Sequence, residues 1–256
     1  MMSKTKIHFS HANGFPTQTY EYLFSLIEEI EISDINTMGH ASYSNMANLS
    51  HLRDELIDEI ELTHNQPIIG IGHSSGAAAT LLAAAERPEL FEKIILLDPV
   101  IFSGRKRLAI WLSKKLGLWE SFSPAKRAMV RRVDFADRRE AFDYFKQKSL
   151  FKNFHPKCFD SYIKHGLSPN NSGMGLTFSA QVEADIFRNV PTKLPTNLSN
   201  LKGTLIYGDK SAIIGKADIA WWQKNLPNFE IVAFAGEHLF PFESPEETAR
   251  LLKKHL

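Results

Sequence analysis

The feature that most constrains the fold is an apolar run that leads through a glycine- and serine-containing turn into an alanine-rich helix. The run is Pro67 to Ile71, the turn is Gly72-His73-Ser74-Ser75-Gly76, and the helix continues to about Arg87. In a sharp strand-to-helix turn, glycines two residues before and after the serine let the two elements approach closely. The pattern predicts a nucleophile at Ser74. The alternatives are an inert turn or a phosphate-binding loop, and the turn lacks the lysine of the latter.

Strand-like and helix-like patterns alternate on both sides of this turn, which is typical of βαβ units. This repetition predicts an α/β fold with a mostly parallel sheet and helices on both faces. The predicted strands are 6–9, 35–38, 67–71, 94–97, 203–208 and 229–234, and helical patterns cover 20–30, 49–62, 74–87 and 245–255.

The strand signal disappears between residues 101 and 200, so we predict a helical insertion there, with residues 1–100 and 201–256 forming the core. From Arg105 to Lys164 there are 16 Lys or Arg and 6 Asp or Glu. Such an excess is usual for solvated helical faces, but it also suits anionic acyl substrates or a membrane surface. Eight rings form either an apolar underside facing a substrate or the insertion's own core: Trp111, Trp119, Phe122, Phe142, Phe145, Phe151, Phe154 and Phe159.

A serine nucleophile needs a base within hydrogen-bond distance. His238 is the best candidate because it follows the last predicted strand, at the carboxyl edge of the sheet where ligands collect. The alternative is a loop histidine bonded to backbone. We interpret His11, His40 and His73 as structural or pocket-lining, and no pair of them has a zinc-like spacing with cysteines, so the sequence predicts no metal.

Four ordered motifs resemble those of the α/β-hydrolase superfamily. The resemblance implies Ser74 as nucleophile, His238 as base, backbone N–H groups of Phe15 and Ser75 as the oxyanion hole, and no cofactor. It also implies a helical lid at 101–200 and a sheet of about six strands without the family's first two edge strands. The motifs are Asn13-Gly14-Phe15-Pro16, Met38-Gly39-His40-Ala41-Ser42, the turn around Ser74, and Gly236-Glu237-His238 with Phe242-Glu243-Ser244-Pro245.

The acid that orients the base departs from this resemblance. The superfamily usually places it three residues after the glycine that ends the penultimate strand, and here that position is Ser211. Asp98 follows the strand after the serine turn, where some members carry the acid, and Asp209 lies near Ser211. We favour Asp98 because a strand end aims its side chain rigidly, and keep Asp209 as the alternative.

Together these features predict a serine hydrolase that cleaves a carboxylic ester with an apolar acyl part through an acyl-enzyme on Ser74. Thioesters, amides or vinylogous C–C bonds would use the same residues. An acyltransferase and a catalytically silent binding protein remain alternatives. A serine rather than an aspartate at position 74 argues against haloalkane dehalogenase and epoxide hydrolase chemistry, which needs a carboxylate nucleophile.

The remaining composition favours a cytoplasmic protein with a small-molecule partner. The only cysteine is Cys158, so no intramolecular disulfide can form. The start carries no secretory h-region, and no stretch approaches the roughly 18 apolar residues of a spanning helix. A net charge of +1 gives no argument for nucleic acid.

Overall fold

A computed structural model describes residues 5–43 and 45–256 and contains a six-stranded sheet that is parallel throughout. Its strand order is β2-β1-β3-β4-β8-β9. The strands of the chain are β1 (Thr5–Ser10), β2 (Ile30–Asp34), β3 (Ile68–His73), β4 (Phe91–Leu97), β5 (Asp134–Phe135), β6 (Leu167–Asn170), β7 (Gly173–Leu176), β8 (Gly203–Gly208) and β9 (Phe229–Phe234).

The α-helices include long ones that flank the sheet and shorter ones concentrated between β4 and β8. They are α1 (Glu21–Ser25), α2 (Ser50–Thr63), α3 (Ser75–Glu86), α4 (Gly104–Lys115), α5 (Trp119–Phe122), α6 (Ala125–Val130), α7 (Arg138–Lys146), α8 (Pro156–His165), α9 (Ala180–Arg188), α10 (Lys216–Asn225), α11 (Phe240–Glu243) and α12 (Pro245–His255). None of the helices described is long and apolar enough to cross a bilayer.

Alternate residues of the central strands enter two different hydrophobic clusters, one on each face of the sheet. Ile95 and Leu97 belong to one cluster, whereas Ile94 and Leu96 belong to the other. Successive side chains of a strand point to opposite faces, so a strand covered by helices on both sides is apolar along its length. This arrangement confirms the predicted α/β fold with about six parallel strands.

The second strand differs from the prediction. The sequence pattern places a helix over 20–30 and a strand at 35–38, but the helix α1 ends at Ser25 and β2 spans Ile30–Asp34. Ile30 and Ile32 carry a strand's alternation, with the exposed Glu31 between them. Because Leu26, Ile27 and Ile30 also satisfy helical spacing, periodicity alone could not separate the two structures here.

The segment between β4 and β8 is not purely helical, which corrects the prediction for 101–200. Besides α4 to α9 it contains a small antiparallel sheet with the order β5-β7-β6. These strands have two to four residues, too few for a clear period of two. The turn between β6 and β7 ends at Gly173, whose φ of +123° favours glycine.

Candidate active site

The turn after β3 holds Ser74 in a conformation that few residues other than glycine adopt, with φ 57° and ψ −116°. A Cβ on Gly72 would lie 2.5 Å from the Cα of Ala77, and one on Gly76 would lie 2.2 Å from the carbonyl oxygen of Ser10. Because these neighbours are backbone atoms, the turn accepts no larger residue at either position. The two glycines let the strained serine stand at the start of α3.

The structure brings the side chains of Ser74, His238 and Asp98 together in one line of hydrogen bonds. The Nε2 atom of His238 lies 2.9 Å from the Oγ of Ser74, and its Nδ1 lies 2.5 Å from the Oδ2 of Asp98. A carboxylate only accepts hydrogen bonds, so Nδ1 carries the proton and Nε2 is free to accept the serine proton. The three side chains that the sequence predicts as nucleophile, base and acid are thus in direct hydrogen-bond contact.

Asp98 is fully buried and is held by three donors. Besides His238, the backbone N–H of Gly208 donates to Oδ1 at 3.1 Å and the hydroxyl of Ser211 donates to Oδ2 at 2.5 Å. The alternative acid, Asp209, instead accepts the N–H of Gly236 at 3.1 Å. Serine at the superfamily's usual acid position therefore supports the carboxylate rather than replacing it, a contact that the sequence did not predict.

The two predicted oxyanion donors differ in their surroundings. Ser75 is the first residue of α3, so its N–H has no carbonyl partner within the helix. The N–H of Phe15, in contrast, donates to the carbonyl of Ala12 at 3.0 Å in a turn with Gly14 at φ +81°. Phe15 would therefore contribute to an oxyanion hole only by sharing or releasing this bond, a constraint that the motif alone did not reveal.

Comparison with known proteins agrees with this architecture. Residues 35–251 match the sequence model of the alpha/beta hydrolase family, which is most of the chain. The chain belongs to that family.

The curated relatives of this chain share little sequence identity with it. It is 27% identical over 175 residues to the type I acyl-CoA thioesterase mpaH of Penicillium brevicompactum, an overlap of 61% of this chain and 38% of the relative. The chain thus spans little more than a third of the length of the curated relatives it matches.

Two solved structures share the fold of the hydrolase over nearly its whole length. One is E-2-(acetamidomethylene)succinate hydrolase, with a TM-score of 0.76, 17% identity and coverage of 98% of this chain and 91% of that chain. The other is the thioesterase domain from the curacin biosynthetic pathway, with a TM-score of 0.73, 16% identity and coverage of 99% and 92%. At this identity the likeness establishes the fold alone.

A second set of hydrogen bonds links the backbone at His238 to the loop that precedes α1. His73 is completely buried, and burial lowers its pKa to about 3, so its ring is neutral. Its Nε2 donates to the carbonyl of His238 at 3.0 Å, which leaves Nδ1 to accept the hydroxyl of Tyr20 at 2.7 Å. The same hydroxyl accepts the N–H of Ala12 at 3.2 Å. The sequence indicated a structural or pocket-lining His73, but not this connection.

Ser74 and His238 open into a cavity of about 730 Å³. Aromatic rings of Phe15, Phe145 and Phe151 form much of its wall. The sequence predicted Trp111 and Phe122 either to face a substrate or to lie in the core of the 101–200 segment. Neither ring is in such a position, because Trp111 is 39% exposed and Phe122 is 74% exposed. The cavity therefore suits an apolar group. Some aromatic rings of the 101–200 segment lie outside it and are exposed to solvent.

One ion pair stands in the wall of this cavity. The Nη1 of Arg131 lies 2.5 Å from the Oε2 of Glu183, and burial raises the pKa of the Glu183 carboxyl. The backbone carbonyl of Glu183 also accepts the side-chain N–H of Asn13 at 2.9 Å. The Asn13 bond ties α9 to the loop that carries Phe15, and the ion pair ties α9 to the residue that follows α6. In the part of the chain that the structure describes, no group of three or more His, Cys, Asp or Glu side chains is arranged to hold a metal.

Proposed function

We propose that this hydrolase cleaves a carboxylic ester or thioester through an acyl-enzyme on Ser74. One observation carries the proposal: the 2.9 Å contact between Ser74 and His238, whose other ring nitrogen meets Asp98. The strained turn at Ser74 and the adjoining apolar cavity support it, because both are needed to present a nucleophile to an apolar acyl group.

In the proposed mechanism His238 takes the hydroxyl proton of Ser74 as the oxygen attacks the substrate carbonyl. The N–H of Ser75, with that of Phe15 if its turn shares the bond, stabilises the oxyanion, each donor being worth about 3 kcal/mol. His238 then protonates the departing alcohol or thiol, leaving an acyl group on Ser74. Water then attacks the acyl carbonyl and gives its proton to His238. The bond between the acyl group and the Ser74 oxygen breaks, the acid leaves, and His238 returns the proton to that oxygen.

We further propose that the 101–200 segment acts as a lid over this site. Its helix α6 contributes Arg127 and Ala128 to the cavity wall, and the α7 region contributes Phe145. A cover of this kind keeps water from the acyl group and selects its length. The residues 1–100 and 201–256 would then be the core that carries Ser74, Asp98 and His238.

A thioester is included because of one observation, the similarity to a type I acyl-CoA thioesterase. The chemistry of attack is the same for oxygen and sulfur leaving groups, so the geometry around Ser74 serves either. Cleavage of matched oxygen esters and thioesters of one acyl chain would measure the preference. Added alcohol or amine acceptors would show whether acyl transfer competes with hydrolysis.

The test of the proposed function is labelling with a fluorophosphonate probe, which reacts with an activated serine. We expect the wild type to bind one probe per chain and Ser74→Ala to bind none, as read by intact mass. Ser75→Ala is the matched control because it keeps the backbone N–H and should still react. Labelling that persists in Ser74→Ala would remove Ser74 from the mechanism, and an unlabelled wild type would favour a silent binding protein.

A further inference from the structure

The exposed hydrophobic side chains of this protein are concentrated in one region. Of the ten most exposed large ones among the described residues, eight lie between residues 108 and 130. Water-exposed apolar side chains are ordinary when scattered singly, but a contiguous group marks an interaction site. We call this group the docking surface, and its members are Leu108, Trp111, Leu112, Leu116, Leu118, Phe122, Met129 and Val130.

The docking surface is continuous across three consecutive helices. On α4, Leu108, Trp111 and Leu112 have the i, i+3, i+4 spacing of a single helical face, while Ile110 is buried on another face. The helix α5 packs against both α4 and α6, so the three helices that carry the docking surface are neighbours. Phe122 at the end of α5 is 74% exposed and Val130 at the end of α6 is 75% exposed.

The segment that carries the docking surface is strongly basic. Residues 105–132 contain nine Lys or Arg and a single acidic residue, Glu120, which is paired with Arg188. Arg105, Lys115 and Lys126 are exposed and have no carboxylate within 4.0 Å among the described residues. These exposed positive charges therefore remain without a counter-charge of their own.

The positive charge of this segment favours one kind of binding partner for the docking surface over the others. A second copy of this chain, docked symmetrically, would bring cations onto cations. A protein partner accounts for the arginines and aromatic rings but not for the lysines, which are depleted in such interfaces. An anionic lipid surface satisfies both components, because tryptophan, phenylalanine and leucine enter the headgroup region while lysine and arginine meet the lipid phosphates.

We propose that the region 104–130 docks onto a membrane surface rich in anionic phospholipids. Helix α6 belongs both to this surface and to the cavity wall, where Arg127 and Ala128 line the cavity that contains Ser74. Docking would therefore place the cavity beside the lipid. The proposal does not depend on the chemistry of Ser74.

The test is cosedimentation with vesicles of phosphatidylcholine alone and of phosphatidylcholine with 30% phosphatidylserine. We expect binding to the anionic vesicles at low salt, at least about tenfold weaker binding at high salt, and a blue shift of tryptophan emission on binding. Leu112→Ser with Phe122→Ser should lower the partition coefficient about tenfold or more, and Arg105→Glu with Lys115→Glu should do the same.

Matched controls lie elsewhere on the surface. Leu62→Ser changes an 83% exposed leucine on α2, and Lys253→Glu with Lys254→Glu reverses two exposed charges on α12. Neither should alter binding. Circular dichroism and probe labelling verify that each variant is folded.

Three results would overturn the proposal. They are absent binding of the wild type to anionic vesicles, equal binding to neutral vesicles, and equal losses in the control variants. A lipid-free dimer in sedimentation velocity that Leu112→Ser with Phe122→Ser abolishes would assign the surface to a second copy instead.

Discussion

At the scale of single residues, the most consequential contacts are those of the buried Asp98 carboxylate. Its two oxygens accept from His238, Ser211 and the N–H of Gly208. A carboxylate bound by three donors, two of them from the end of β8 and the loop after it, has little freedom to rotate. Under the proposed mechanism it fixes both the tautomer and the plane of the His238 ring.

Replacing Asp98 by Asn should therefore lower kcat on an activated ester by about ten-thousandfold, because an amide favours the wrong histidine tautomer. The matched change Asp209→Asn removes the charge but keeps an oxygen that can accept the Gly236 N–H, and it should lower kcat less than about tenfold. Steady-state kinetics would check both. A larger loss in Asp209→Asn than in Asp98→Asn would reverse our assignment of the acid.

The sequence predicted those residues that stand in, or directly follow, a recognisable local pattern. Ser74 stands in a motif of five residues, and His238 and Asp98 each follow a recognisable strand. The contact between Ser211 and Asp98 joins residues 113 positions apart, and that between Tyr20 and His73 joins residues 53 positions apart. No local pattern encodes such partners, so only the three-dimensional structure reveals them.

At the scale of elements, the turn between β3 and α3 is a tightly packed junction. The path of the chain leaves no room for a side chain at Gly76, which faces the backbone of Ser10 in β1. The turn that contains Ser74 is therefore both strained and packed against the neighbouring strand.

Gly76→Ala should destabilise the protein by about 3 kcal/mol or more, since backbone atoms must move to admit the methyl group. Gly215→Ala is the control: its Cβ would have no neighbour closer than 3.9 Å, and we expect a change within about 1 kcal/mol. Urea unfolding would measure both free energies. Equal stability of the two variants would contradict the packing described for the turn.

The alternation of strand and helix patterns predicted the order of the larger elements along the chain. Long apolar runs are the clearest of these patterns. Short elements were harder. The apolar residues Leu26, Ile27 and Ile30 fit a helical period although they lie after α1 or in β2, and strands β5 to β7 hold too few residues to show a period. Tertiary packing, rather than local preference, determines such pieces.

At the scale of the whole molecule, the core contains three neutral histidines. Burial lowers the pKa of His8 and His73 to about 3 and that of His11 to about 4. In the unfolded chain the same groups take up protons near pH 6.5. The unfolded state therefore binds more protons between about pH 4 and 6.5, and folding stability must fall as the pH falls through this range.

Lowering the pH from 7.5 to 5 should cost about 2 kcal/mol of unfolding free energy for each of these histidines. His8→Phe removes one of them at a buried site in β1 and should reduce the loss by about that amount. Urea titrations of both proteins at the two pH values provide the measurement. An identical pH dependence in the variant would show that His8 is not neutral when folded.

The paired side chains of Ser74 and His238 are 164 residues apart in the chain. During synthesis the ribosome produces the serine, its glycine turn and Asp98 long before the last strand and the histidine that follows it. A nascent chain therefore contains Ser74 and Asp98 before it contains His238, the residue that the proposed mechanism uses as the base. Under the proposed mechanism, hydrolysis begins only when translation has passed position 238, so an incomplete chain would be harmless to the esters around it.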